Sequence, residues 1–354
     1  MKRRHFLKQS SIAAVGGLLA HHLPLHAGKG IFHPSPRHVV ICVVAGLEKS
    51  DFEKLFVSTG SKAVLNSGRI CEMRYNGAAA GHRMALESIL HGEYLAESAC
   101  GKQSLVESPL LLHPNGKKYL VTSDRVFLKT PGYTEAPGSA THLLVSCVPN
   151  QGESPLVKGT KANFSIVSSD NRNVGMASGL RNEIIESNDA YHRRLLFYSE
   201  DLLVAETACA ILRRESPTVL VSHFMGADVA HGDASQAQTN IRHISTGIQR
   251  IWEAVESHPG MKGNTLLVVL PDFGRNGFHN SMVDGNGNYG TDHSISDQNT
   301  THIACLFASN DPHFDLSRIQ TRIVQSTDIY SVAQLFLKGK KHFGWPRKDL
   351  SEQA

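Results

Sequence analysis

Three short stretches in the second half of the chain carry carboxylates and imidazoles close enough together to share a cation. Asp228 and His231 stand in Gly226-Ala227-Asp228-Val229-Ala230-His231-Gly232-Asp233, Asp272 and Arg275 in Pro271-Asp272-Phe273-Gly274-Arg275, and Asp292 and His293 in Gly290-Thr291-Asp292-His293. Carboxylate oxygen and imidazole nitrogen both suit zinc, at about 2.0–2.2 Å. Each stretch also has a plain structural explanation: Asp228 near a helix N-cap, Asp272 and Arg275 as an ion pair, His293 as a loop histidine. Jointly they are hard to explain by packing, because buried charges need partners. The pattern predicts a site for one divalent cation, zinc foremost. Its ligands are Asp228, His231 and His293, with Asp292 a further candidate and Asp272 a ligand or the partner of one. Arg275 is the candidate to hold an anionic substrate oxygen through its fork of donors. His82 is the candidate general base, with a capping or core histidine as the alternative.

These residues need a scaffold that brings distant loops to one place. His38-Val39-Val40-Ile41-Cys42-Val43-Val44 is an apolar, β-branched run of the kind that makes a strand buried on both faces of a parallel sheet. Similar runs recur at 143–148, 218–222, 265–270 and 302–307, and segments with helical spacing lie between them at 199–214, 236–257 and 326–337. Alternating strands and helices predict an α/β fold, a mostly parallel central sheet with helices on both faces. Sites are expected on loops at the carboxyl ends of its strands. The stretch 109–163, rich in Gly, Pro and Lys, reads as an insertion or subdomain, and 28–354 as a single domain. Asp284-Gly285-Asn286-Gly287-Asn288 superficially resembles a calcium loop but lacks the Gly at position six and the Glu at twelve, so it reads as a flexible glycine-rich loop.

Composition excludes several classes. The chain has 354 residues, 41% hydrophobic and 19% charged, which is globular rather than disordered. The formal net charge of +4 and the lack of a basic stripe with interleaved aromatics argue against nucleic acid as a partner. The six cysteines form no CxxC pair and no regular spacing, so neither a zinc ribbon nor a redox motif is indicated. Cys42, Cys147, Cys209 and Cys305 sit in apolar runs and read as small buried hydrophobes; Cys71 and Cys100 are open to pairing after export. No haem, iron–sulfur or glycine-rich dinucleotide motif supports a redox enzyme.

The N-terminus reads as an address. Arg3-Arg4-His5-Phe6-Leu7-Lys8 resembles the twin-arginine signal Arg-Arg-x-Phe-Leu-Lys at every defined position. The weakly apolar run from Ile12 to Ala20 is too short to span a membrane, which takes roughly 20 apolar residues, so a signal peptide over 1–27 fits better than an anchor. The resemblance implies carriage by the twin-arginine translocase to a periplasmic or extracytoplasmic location, of a chain already folded around a cofactor, and not an integral membrane protein.

The clusters together resemble the metal-binding core of the alkaline phosphatase and sulfatase superfamily. In that superfamily a strand ends in an Asp and His of one metal site, a helix follows, and an Asn-Thr strand ends in Asp-His-Gly. Pro217 to Arg275 is similar to that run, and Thr327-Asp328-Ile329 to its C-terminal helix start. Closer still are bacterial sulfatase-like proteins with Asp-x-His, Glu-Phe-Gly-Arg and Gly-Thr-Asp-His motifs, and Gly81-His82-Arg83 through Leu90-His91-Gly92 looks like their Ser-His-Phe helix ending in Gly. The resemblance implies an alkaline-phosphatase-like fold and a metal-dependent hydrolase of a small anionic ester, phosphate or sulfate. Three positions depart from it. No carboxylate follows the first strand at Ala45-Gly46-Leu47, Phe273 stands in place of a second-site histidine, and Asn76 to Gly81 supplies no hydroxyl or thiol nucleophile. The departures leave two alternatives open: a one-metal hydrolase, or a degenerate relative serving as a periplasmic binding or assembly protein. A nucleophile at Ser58 or Thr59 would favour the first.

Overall fold

The computed structural model describes residues 36–56, 62–77, 79–94, 108–111, 116–124, 141–145, 200–319 and 323–340, all within one compact unit that begins at Pro36. The signal segment 1–27, Ser58, Thr59, Cys100 and Cys147 lie outside the described residues.

In chain order the elements are β1 (His38–Val44), α1 (Lys49–Phe52), α2 (Lys62–Asn66), β2 (Gly68–Arg74), α3 (His82–His91), β3 (Lys118–Thr122) and β4 (Thr141–Val145). There follow α4 (Glu200–Glu215), β5 (Val219–Phe224), α5 (Ala234–Ser257), β6 (Thr265–Pro271), β7 (His279–Val283), β8 (Tyr289–Thr291), α6 (Gln298–Thr301), β9 (His302–Ser309), β10 (Val324–Gln325) and α7 (Asp328–Leu337). Eight strands form one sheet in the order β10-β2-β9-β6-β1-β5-β3-β4, and β7 pairs with β8 as a separate hairpin. Within the large sheet only β9 is reversed, antiparallel to β2 and β6. The expected mostly parallel α/β sheet, covered on both faces, is what the chain builds.

Every residue of β1 is buried, which explains its unbroken apolar sequence. Val40, Cys42 and Val44 point to one face and pack with Ile211 of α4 and Ile248 and Trp252 of α5. Val39, Ile41 and Val43 point to the other, toward Leu86 and Ile89 of α3 and Val332 and Phe336 of α7. Alternation along one strand therefore supplies two cores. Helix ends follow from local chemistry. Asp233 caps α5, its carboxylate accepting from the Gln236 N–H at 2.8 Å. Gly92 closes α3 in the left-handed conformation at φ 73°, with Tyr330 packed where a Cβ would stand.

β3 and β4, from the stretch 109–163, are parallel strands of the main sheet. The Asp284 to Asn288 loop is the closed end of the β7–β8 hairpin: Asp284 accepts from the N–H groups of Asn286 and Asn288 and from the Ser235 N–H and hydroxyl in the first turn of α5. Its oxygens are held by these protein donors. Among the described residues no helix is long and apolar enough to cross a membrane.

From β1 the chain passes first to β2 on one side of the sheet and later to β3 on the other, so the strand order reverses at β1. That reversal opens a crevice at the carboxyl ends of the strands. The loops after β1, β5 and β6 meet there.

Candidate metal centre

Asp272 is the residue after β6 and is fully buried. Its Oδ1 accepts from the Gly46 and Phe273 N–H groups, both at 2.8 Å, which fixes the carboxylate plane. Its Oδ2 lies 2.6 Å from Nδ1 of His82, the first residue of α3. Behind it stands His223 on β5, fully buried, with Nε2 4.0 Å from the same oxygen and Nδ1 3.1 Å from the Thr122 hydroxyl.

Asp228 lies in the 3-10 turn Gly226–His231 that follows β5. Its Oδ1 takes an N–H from Arg275 Nη2 at 2.7 Å and faces Nε2 of His231 at 3.4 Å and Nε2 of His293 at 3.8 Å. Its Oδ2 faces Nε2 of His82 at 3.2 Å. The Nε2 atoms of His231 and His293 are 3.1 Å apart. On its far side, His231 Nδ1 lies 2.8 Å from Asp292 Oδ1, which Asn280 also holds through its amide. The turn itself is gripped at Gly226, whose N–H donates to Asp201 at 3.1 Å and whose carbonyl accepts from Asn240 at 2.7 Å.

The site therefore contains two carboxylate–imidazole pairs of the same design. Asp272 holds Nδ1 of His82 and Asp292 holds Nδ1 of His231, and in each case Nε2 points toward Asp228. A carboxylate on Nδ1 is the arrangement found behind metal-binding histidines; with carboxylates on both nitrogens, His82 carries a proton on each and must lose one before Nε2 can bind a cation. The 3.1 Å contact between the Nε2 atoms of His231 and His293 is a hydrogen bond when one ring carries a proton there, and a cation can take that proton's place. For tetrahedral bonds of about 2.0–2.1 Å the ligand atoms stand roughly 3.3 Å apart, and the separations of 3.1–3.8 Å among Asp228, His231 and His293 bracket that value. Nδ1 of His293 is buried without a hydrogen-bond partner among the described residues, and the ring packs against Phe273, centroids 4.5 Å apart and planes tilted by 51°. The donor set fits one divalent cation.

The charges are strongly coupled. Burial opposes charge on Asp272, yet His82 and His223 outweigh it and hold the carboxyl well below the usual range. Burial likewise resists charging His82, but Asp272 and Asp228 prevail and raise it to about 10. Asp228 is drawn down to about 2: burial acts against this, and His82, Arg275 and His231 overcome it.

Asp228, His231 and His293 come together as the sequence predicts. Asp272 and Asp292 stand behind His82 and His231 rather than at the shared point; Asp272 also forms, with His82 and His223, a second group of donors close enough to hold a cation. His82 is a poor general base here, because both ring nitrogens are engaged by carboxylates. Arg275 is buried and committed. Nε donates to the Gly46 carbonyl and Nη1 to the Thr291 carbonyl, both at 2.7 Å, while Nη2 serves Asp228. It braces three loops and has little left for a substrate anion. Gly46, at φ 54°, explains the missing carboxylate after β1: a Cβ there would lie 2.7 Å from Arg275 Nη2. Phe273 is fully buried and stacks on His82 at 4.9 Å, so it closes the place of a second-site ligand with hydrocarbon. His223 was not singled out in the sequence; its one signal is a polar residue at the end of an apolar strand.

The mostly parallel α/β sheet flanked by helices matches the fold of alkaline-phosphatase-like structures. Among solved structures the chain is similar to Ps i-CgsB in complex with k-i-k-neocarrahexaose, at 12% identity over 86% of this chain and 72% of that one, TM-score 0.50. It is similar to BT1596, a 2-O GAG sulfatase, at 12% identity over 89% of this chain and 72% of that one, TM-score 0.50. A protein in the alkaline phosphatase superfamily from Vibrio parahaemolyticus aligns at 12% identity over 86% and 67% of the two chains, TM-score 0.48. At such identities the likeness is one of fold. No family model matches the sequence, and no curated protein matches it.

Proposed function

We propose that this chain is an exported, metal-dependent hydrolase of a phosphate or sulfate ester. The observation that carries the reading is the convergence of Nε2 of His231, Nε2 of His293 and a carboxylate oxygen of Asp228 at the carboxyl edge of the sheet. His82, held from behind by Asp272, adds a third imidazole on the other oxygen of Asp228. A divalent cation bound by these residues supplies Lewis-acid polarisation of an ester oxygen.

The protein's own residues do the rest. Asp272 and Asp292 fix the tautomers of His82 and His231, and Arg275 ties the Asp228 turn to the loops at Gly46 and Thr291. Phe273 keeps water from the inner wall. Among the described residues no hydroxyl or thiol is hydrogen-bonded to Asp228, His82, His231 or His293, which supports water as the attacking group, with Ser58 and Thr59 the protein hydroxyls to test against it. The twin-arginine pattern at Arg3-Arg4 supports export after folding. A sulfated saccharide, the kind of substrate named for BT1596, is the first ester class to try.

One observation favours a second reading. If His82, His231, His293 and Asp228 all bind at once, the cation has four protein ligands, the closed pattern of structural zinc rather than the open one of catalysis. The chain would then be a periplasmic binding or assembly protein.

Elemental analysis of protein purified from a twin-arginine-competent host tests both. Near-stoichiometric metal in the wild type, lost in Asp228→Ala and His293→Ala, is expected. Metal-free wild type that cannot be loaded overturns the metal reading. Loaded protein with no water in the coordination sphere by proton relaxation overturns the hydrolase and leaves the binding protein.

A further inference from the structure

Two thiols face each other across the reversed strand of the sheet. In the antiparallel β2–β9 pair Cys71 stands directly opposite Cys305. Above them the Tyr75 N–H donates to the Thr301 carbonyl at 2.8 Å, and below them the Ser309 N–H donates to the Ser67 carbonyl at 3.0 Å. Hydrogen-bonded pairs recur at every second position of such a ladder, so the 71/305 pair shares the phase of both and is itself hydrogen-bonded. Its Cα atoms then lie about 5.5 Å apart, inside the roughly 4.4–6.8 Å that a disulfide spans. Directly opposite residues project to one face, and both side chains belong to the same buried cluster.

We propose that Cys71 and Cys305 close a reversible disulfide between β2 and β9. The Cys71 thiolate attacks one sulfur of a disulfide oxidant and expels the other as a thiolate. The Cys305 thiolate then attacks the mixed disulfide at Cys71 and expels the second. Two protein thiols become one disulfide, one oxidant disulfide becomes two thiols, and the two protons move with them.

Access comes from the edge. β10 pairs only with Met73 and Arg74, so at the height of Cys71 the outer side of β2 has no further strand among the described residues. Local opening of that edge exposes the thiol. Opposite Cβ atoms sit about 4.5–5.5 Å apart and a disulfide needs roughly 3.5–4.5 Å, so closure draws the strands together. The bond is therefore strained and readily reduced. Burial, which pushes the Cys71 thiol up to about 11 and Cys305 well above its usual value, makes the reaction slow on the folded chain. The bridge would staple the strand that leads to His82 to the strand that leaves the His293 loop. Its chemistry is independent of the metal and of the ester; only the compartment in which an oxidant meets it follows from the export reading.

The test treats reduced, full-length protein with oxidised glutathione at mildly alkaline pH in sub-denaturing urea. Free thiols are then alkylated, and an unreduced digest is analysed by mass spectrometry. The expected result is one cross-linked peptide pair carrying Cys71 and Cys305, lost on treatment with dithiothreitol. In Cys305→Ser, Cys71 should instead retain glutathione. Linkage of Cys71 to Cys100, or alkylation of both Cys71 and Cys305 in the oxidised wild type, overturns the proposal. The wild-type map decides the matter even if the serine variant fails to fold.

Discussion

His231 Nδ1 lies 2.8 Å from Oδ1 of Asp292, so the ring presents its other nitrogen to Asp228 and His293. Asp292 is itself exposed and drawn below the usual carboxylate range, first by the Asn280 amide and then by His231. Its side-chain contacts are with His231 and Asn280, which in the metal reading makes it a positioning residue rather than a ligand. Asp292→Ala should therefore weaken zinc binding by about 10–100-fold without abolishing it, whereas Asp228→Ala should abolish it. Competition against a chromogenic chelator reads both, and equal losses would place Asp292 among the ligands.

His82 sits between two carboxylates, one of them fully buried. Without its ring, Asp272 keeps the Gly46 and Phe273 N–H groups on Oδ1, and Oδ2 has only His223, 4.0 Å away, as an ionisable neighbour. Breaking a buried pair from one side costs about 3–5 kcal/mol, so His82→Ala should lower the melting temperature of the metal-free protein substantially. Adding Asp272→Asn should recover part of the loss, because the stranded charge is gone. A thermal-denaturation cycle of the four proteins measures that coupling, and strictly additive losses would show that the two residues act separately.

Gly46 carries a prediction about Arg275. Its φ of 54° is strained for any residue with a Cβ, and that Cβ would meet the guanidinium at 2.7 Å. Gly46→Ala should cost at least about 2 kcal/mol, with roughly 1–2 from the backbone alone and the rest from displacing Arg275. Because Arg275 steadies Asp228, zinc affinity should fall as well. Denaturant unfolding and chelator competition on the same variant check the two effects, and a loss of stability with unchanged affinity would separate Arg275 from the site.

How much of this was legible in the sequence depended on how local each signal is. β1, β5, β6 and β9 are continuous apolar runs because both faces are buried, and such runs announce themselves. β2 was missed: Arg69, Glu72 and Arg74 interrupt it, as its alternating burial near the sheet edge requires. Asp228, His231 and His293 were found because they fall in short, ordered clusters. The contacts of Asp272, Asp292 and Arg275 were not readable, since they depend on which way a side chain turns. Asp272 turns to His82, 190 positions away, and Arg275 to Gly46, 229 positions away. Likewise Cys71 finds Cys305 rather than a neighbour in sequence, because register across a sheet is settled by the whole fold.

Asp201, at the start of α4, makes the stability of the whole chain depend on pH. It is almost fully buried, and burial raises its carboxyl to about 7 against hydrogen bonds from Gly226 and Met225 that act the other way. Since its folded value lies above the ordinary 3.8, the folded chain holds this proton over a range in which the unfolded chain has released it. Stability from this group is therefore highest below about pH 4 and declines as the pH rises toward about 7, where the loss levels off at no more than about 4 kcal/mol. Asn at this position keeps an oxygen to accept the Gly226 N–H and has no charge to bury. Asp201→Asn should gain little over wild type near pH 4.5 and clearly more near pH 8. Urea unfolding at the two pH values measures the difference, and a gain independent of pH would show that Asp201 does not titrate in this window.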